Sequence, residues 1–233
     1  MAEGGERWIP IESNPEVMNS FLRKLGVPGD WEINDVFGLD PELLMMLPQP
    51  CLALMLLFPI TDKYEEFSRR EEEAMKGVEV PDKLYYMKQT ISNACGTVAL
   101  MHSVINNVIG GKIPLEEGPL KTFVEATLTS SPEERAVKLE ADEAICSCHD
   151  SAAREGQTRA PDRDDRVDYH FVSFVTVDKT LYELDGRKSG PIDKGKSSAE
   201  SFLSDAAAAC KEYMSRDPDN INFTVVALTA RMD

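Results

Sequence analysis

The sequence predicts an α+β protein in which a sheet is wrapped by helices, and three observations carry that prediction. Helix-patterned segments fill most of the front half, whereas the back half holds the strongest strand signals. Cys51 to Phe58 is an unbroken apolar run bounded by Pro50 and Pro59, too short to cross a bilayer, which reads as a central strand covered on both faces. Val167 to Asp185 is two alternating runs joined through Asp178-Lys179, the pattern of a β-hairpin.

Taken in order, Trp8 to Glu12 reads as a short opening strand. Asn14-Pro15 then starts a helix, with Asn as N-cap and Pro at the first helical position. Val17, Phe21, Leu22 and Leu25 give it one apolar face before Gly26 stops it. Trp31 to Phe37 reads as a strand, and Asp40-Pro41 repeats the cap-then-proline device for a short helix through Leu47. Thr61 to Lys76 is a charged, exposed helix. Tyr85 to Ile109 runs from a polar segment into a buried apolar helix, and Pro119 to Leu128 is helical. Ser131 to about Cys146 is a further helix, opened by Ser131-Pro132-Glu133-Glu134. From about Ser147 to Arg166 apolar content and periodicity both fail, so this stretch reads either as a functional lid or as a plain flexible insertion. A helix over Ser197 to Ser215 and a closing strand over Ile221 to Thr229 complete the chain.

The length of 233 residues suits a single domain over 1–233, since no linker separates two. The formal charge of −16, spread without a basic block, argues against nucleic acid or an anionic membrane surface. It favours a positively charged partner or simply solvates the surface. No apolar run approaches a membrane span, and the N-terminus lacks a basic-then-apolar signal. Five irregularly spaced cysteines form no disulfide framework, which fits a reducing, cytoplasmic compartment, with the nucleus as a further expectation.

Cys95 should sit at the first turn of the buried helix, where unpaired N–H groups and the positive dipole end favour thiolate over thiol. Gly96 lets backbone or substrate come close. Gln89 can donate amide N–H bonds without charge, which suits it to hold an oxyanion together with the Cys95 N–H. The competing reading is that a cysteine at the foot of an apolar helix simply packs. A thiol nucleophile needs an imidazole, and the chain has only His102, His149 and His170. His102, seven residues along the same helix, is about 10 Å away along the axis at 1.5 Å per residue. His149 falls in the unpatterned stretch. Its CSCH run crowds three candidate ligands without a matching second cluster, so no metal site is read there. His170 lies on the hairpin. If Asp178 and Lys179 form its two-residue turn, Val177 faces Thr180 and Asp185 becomes the same-face diagonal neighbour of His170. That arrangement would suit a triad or, equally, a half-buried histidine bonded to an acid for structural reasons.

The stretches KQTISNACGTVAL, HFVSF, LYELDGRKSGPI, RWIPIESNPEV and FGLDPELL together resemble the ubiquitin carboxyl-terminal hydrolases, specifically their small single-domain isozymes. The resemblance covers essentially the full length. It implies a papain-like cysteine protease fold, α-β-α, with a mostly antiparallel central sheet and a knotted backbone, and it implies no cofactor or metal. Carried onto this chain it makes Cys95 the nucleophile, His170 the general base and acid, Asp185 its orienting carboxylate and Gln89 the oxyanion donor. About 147–166 would be an active-site crossover loop that restricts the enzyme to small or flexible adducts. Substrate contacts would come from Pro10, Ile11, Glu12, Ser13, Asn14 and Pro15. Ala153, Arg154, Glu155, Gly156 and Gln157, running on to about Ala160, would supply more, as would Asn220, Ile221, Asn222 and Phe223. The implied partner is ubiquitin, with the cullin-conjugated ubiquitin-like modifier as a second candidate, handled by a monomer. A non-catalytic ubiquitin-binding module and an open-cleft cysteine peptidase are the alternatives.

Overall fold

In a computed structural model that describes residues 7–75, 80–157 and 167–232, the apolar run forms β2 (Cys51–Pro59), third in a six-stranded sheet. Around it stand β1 (Trp31–Asp35), β3 (Tyr169–Val177), β4 (Thr180–Leu184), β5 (Ile192–Lys196) and β6 (Thr224–Ala230). The spatial order is β1-β6-β2-β3-β4-β5, and every pairing among these strands is antiparallel. Side chains alternate along a strand, so β2 sends Ala53 and Met55 into one core and Leu54, Leu56 and Phe58 into another. A strand buried on both faces needs an unbroken apolar run, which is what the sequence supplies.

The first core is closed by α1 (Pro15–Leu25), α4 (Cys95–Ile109), α5 (Pro119–Thr127), α6 (Pro132–Glu140) and α7 (Glu143–Ala153). The second is closed by α2 (Pro41–Leu44), α3 (Asp62–Ala74) and α8 (Phe202–Arg216) on the opposite face, giving an α-β-α arrangement. Local signals account for most boundaries. Asn14 accepts from the Glu16 N–H at 2.9 Å ahead of Pro15, and Gly26 ends α1 at φ 91°. Ser131 and Glu134 form a reciprocal capping box at the start of α6.

The hairpin register is the expected one. Val177 pairs with Thr180 and Ser173 with Leu184, and Asp178 and Lys179 take positive φ of 47° and 64°, as a two-residue type I′ turn requires.

Three expectations need correction. Trp8 to Glu12 is not a strand: Trp8, Ile9 and Ile11 are all buried, without alternation, and only Arg7 forms a bridge, to Ser92. The helix read over Ser131 to Cys146 is two, because it ends at Glu140 and Asp142 caps a new start by accepting from the Ile145 N–H at 2.9 Å. That second helix, α7, continues to Ala153, so the first part of the proposed crossover loop is helical. Its buried face is Ile145, His149 and Ala152, spaced by four and three, a stripe with a histidine in place of an aliphatic residue. Residues 158–166 lie outside the described residues. No sequence signal marks β5, IDKGK, as an element. It is an edge strand, where lysines and a bulge are the usual dress. Among the described residues no helix is long and apolar enough to cross a membrane.

Candidate active site

Cys95 opens α4, and the residues ahead of it present its thiol. Asn93 takes a left-handed φ of 65° and donates from its side chain to the Trp8 carbonyl at 3.3 Å. Ala94, at the cap, offers no side-chain acceptor, so the leading N–H groups of α4 are not closed off by a capping side chain. Behind its first turn the helix is buried and packs along β2 and β3.

His170, near the start of β3, is 2% exposed, and its Nε2 lies 2.6 Å from Asp185 Oδ1. Its other ring nitrogen is thereby left to Cys95, whose sulfur hydrogen-bonds the His170 side chain and takes further hydrogen bonds from the backbone of Phe171 and Gly96. Burial alone would push the Cys95 thiol up, but those hydrogen bonds and the neighbouring imidazole charge bring it below its ordinary 9.0. Burial likewise opposes charge on His170, yet the Asp185 carboxylate and then the Cys95 sulfur outweigh it and raise the ring to about 9. Asp185, also buried, is held well below the usual carboxylate range, first by His170 and then by Lys188 and the Arg187 N–H. All three directions favour a thiolate–imidazolium pair backed by a carboxylate.

Asp185 is itself locked. Oδ1 also accepts from the Arg187 N–H at 2.9 Å, and Oδ2 accepts from the Tyr64 hydroxyl of α3 at 3.1 Å. The Tyr86 hydroxyl sits between the carbonyls of Asp185 and Lys188, at 2.7 and 2.6 Å. Sequence reasoning missed both tyrosines. Tyr64 is 121 residues from its acceptor, on a helix that reads as exposed, and only an aromatic ring among charges hinted at burial.

Gln89 reaches the same neighbourhood by another route. Its N–H donates to the Gly186 carbonyl at 2.8 Å, and a Cβ on Gly186 would fall 2.9 Å from Gln89 Cβ, so glycine is what permits that approach. The Gln89 amide donates to the Ile91 carbonyl at 3.2 Å, and its Oε1 is buried without a partner. No hydrogen bond is described between it and Cys95.

A cleft of roughly 200 Å³ leads to the thiol. Pro10, Ile11, Glu12 and Ser13 form one wall, Leu57, Tyr169 and Phe171 the floor, and Asn93, Cys95, Gly96, Ala153 and Val167 the remainder. Of the other residues expected to contact substrate, Asn14 and Pro15 start α1. Arg154 turns toward a separate acidic groove with Glu140, Glu143 and Asp150. Glu155 pairs with Lys24 and accepts from Ser20 at 2.5 Å, Gly156 packs on Glu12, and Gln157 reaches Glu16 at 3.5 Å. Asn220, Ile221, Asn222 and Phe223 do not line the cleft. They precede β6 at the same end of the sheet, since Thr224 pairs with the cleft residue Leu57, and Ile221 is 88% exposed.

His149 is not loose, as its place in the unpatterned stretch suggested. It is fully buried, with Nδ1 2.7 Å from Thr97 Oγ1 and Nε2 2.7 Å from the Ile9 carbonyl. His102 accepts from the Met87 N–H at 3.1 Å and stacks on Tyr86, away from the thiol.

Comparison with known proteins gives the family. A family model described as ubiquitin carboxyl-terminal hydrolase, family 1, matches residues 8–215. The chain belongs to that family. It is 48% identical to a ubiquitin carboxyl-terminal hydrolase of Drosophila melanogaster over 96% of this chain and 97% of the relative. Against ubiquitin carboxyl-terminal hydrolase isozyme L1 of Rattus norvegicus the identity is 48%, over 94% and 96%. The catalytic domain of Trichinella spiralis UCH37, crystallised with ubiquitin vinyl methyl ester, shares the fold at a TM-score of 0.76 and 24% identity, over 99% of this chain and 98% of that one. As a ubiquitin carboxyl-terminal hydrolase of the papain-like fold, the protein is a thiol-dependent hydrolase, a cysteine peptidase.

Proposed function

We propose that the enzyme hydrolyses the bond after the carboxyl-terminal glycine of ubiquitin, with Cys95 as nucleophile, His170 as acid and base, and Asp185 as the orienting carboxylate. The single observation that carries this reading is the hydrogen-bonded line Cys95–His170–Asp185 at the end of a narrow, largely apolar cleft. The cysteine thiolate attacks the glycine carbonyl, and the imidazolium gives its proton to the leaving amine or thiol. Water, relieved of a proton by the then neutral His170, resolves the thioester. The uncapped start of α4 and the second N–H of the Gln89 amide are the donors proposed for the oxyanion. Asp185 keeps the ring oriented and stabilises its charged form.

Membership in the family and the relative crystallised with a ubiquitin ester support ubiquitin as the acyl partner. The restriction to small or flexible leaving groups rests on the crossover loop that the resemblance implies over about 147–166. Release of a fluorophore from the ubiquitin carboxyl terminus by wild type and by Cys95→Ala tests the reaction. Turnover in wild type and none in the variant is expected, and turnover retained by Cys95→Ala ends the proposal. Affinities of that inactive variant for ubiquitin and for the cullin-conjugated modifier, measured side by side, decide between the two candidates.

A further inference from the structure

Three separate walls of the cleft converge on one buried side chain that the chemistry does not use. His149 lies on α7 one turn before Ala153, and Ala153 lines the cleft. Its Nε2 is 2.7 Å from the carbonyl of Ile9, the residue before Pro10. Its Nδ1 is 2.7 Å from the hydroxyl of Thr97, the residue after Gly96. A carbonyl oxygen only accepts, so Nε2 carries the hydrogen and donates to Ile9. Nδ1 is hydrogen-bonded to the Thr97 hydroxyl. The ring also packs on Trp8, centroids 4.3 Å apart, and meets Phe21 edge-on at 6.1 Å. The N-terminal wall, the first turn of α4 and the end of α7 are therefore tied through a single imidazole.

Resting on the reading of this cleft as the seat of the ubiquitin tail, we propose that His149 is a positioning residue that sets the spacing of the cleft walls, and so the affinity for the tail, without touching the reacting atoms. Cys95 has its own support, because α4 packs along β2 and β3. The N-terminal wall is tied at Trp8, whose N–H donates to Ser92 and whose carbonyl accepts from Asn93, and His149 makes the next tie at Ile9. Loss of that tie loosens binding that is shared by substrate and transition state, which raises KM and leaves kcat in place.

The test measures fluorophore release from the ubiquitin carboxyl terminus by the full chain as wild type, Thr97→Ser, Thr97→Val, His149→Phe and the His149→Phe/Thr97→Val double variant. Alkylation of Cys95 by iodoacetamide, followed by peptide mass spectrometry, is measured on each. His149→Phe is expected to raise KM about tenfold and Thr97→Val several-fold, with kcat and Cys95 alkylation within about twofold of wild type. Thr97→Ser keeps the hydroxyl and matches wild type. The double variant is no worse than His149→Phe alone, because both changes break one contact. Unchanged KM in Thr97→Val or His149→Phe, or effects that add in the double variant, overturns the proposal. If His149→Phe does not fold, the contrast of Thr97→Val with Thr97→Ser decides it alone. No turnover in wild type removes the ubiquitin reading and this proposal with it, whereas normal wild-type turnover with unchanged variants removes this proposal only.

Discussion

Opposing forces act on the Cys95 thiol: burial penalises its charge, and the His170 ring with two backbone groups more than offsets that penalty. The sign fixes a pH dependence. Because the imidazolium stabilises the thiolate, alkylation of Cys95 by iodoacetamide should persist well below the ordinary thiol value of 9.0. In His170→Ala the profile should move up toward that value, and a profile that does not move would detach the two residues. Turnover should fall on the alkaline side as the ring loses, near its value of about 9, the proton it gives to the leaving group. Tyr64 extends this logic by one side chain, since its hydroxyl fills the Asp185 oxygen that His170 leaves open. Tyr64→Phe should lower kcat roughly three- to tenfold with KM unchanged, the worth of about one ordinary hydrogen bond. Wild-type kcat in that variant would mean that the bond does not steady the triad. The His170–Asp185 contact was legible in the sequence because a two-residue turn fixes a register, and a register places His170 and Asp185 on one face. Tyr64 was not legible, since nothing local ties a residue on α3 to one just past β4.

At the scale of elements, α3, α8 and the end of β4 are joined behind Asp185 by charges largely shut off from water. Lys188, 2% exposed, meets Glu71 at 2.5 Å and Glu183 at 2.8 Å, and Tyr213 donates to Glu183 at 2.5 Å. Arg216 lies over the rings of Phe67 and Tyr213, at 3.7 Å from each, and pairs with Glu71. Removal of one partner leaves the others buried and uncompensated. Lys188→Met should therefore destabilise the fold by about 3–5 kcal/mol in denaturant unfolding. Equal stability would show that the pair is easily replaced. The elements that sequence reasoning found are those with long apolar stripes or clear caps, such as β2, α1 and α4. It lost α7, whose buried stripe includes His149, and β5, whose residues are those of a protected edge.

The molecule as a whole carries a formal charge of −16, and its cleft opens at one end of the sheet. A partner with a basic face and an arginine-containing tail would be drawn toward such a surface at low salt. Screening shortens that attraction to about 10 Å at 0.1 M ionic strength, so kcat/KM toward a ubiquitin adduct should fall as salt rises while kcat stays level. A kcat/KM indifferent to salt would limit the charge to keeping the protein dissolved. The layered architecture was legible from composition and periodicity, because one doubly buried strand demands helices on both faces. The cleft was not, since its lining comes from five separated segments that no local pattern joins. The most direct test of the whole account is the intact mass of the protein after reaction with ubiquitin that carries an electrophile at its carboxyl terminus. A single adduct mapped to Cys95, absent from Cys95→Ala and slowed in His170→Ala, is the predicted result. An adduct on another cysteine, or none on the wild-type protein, would contradict it.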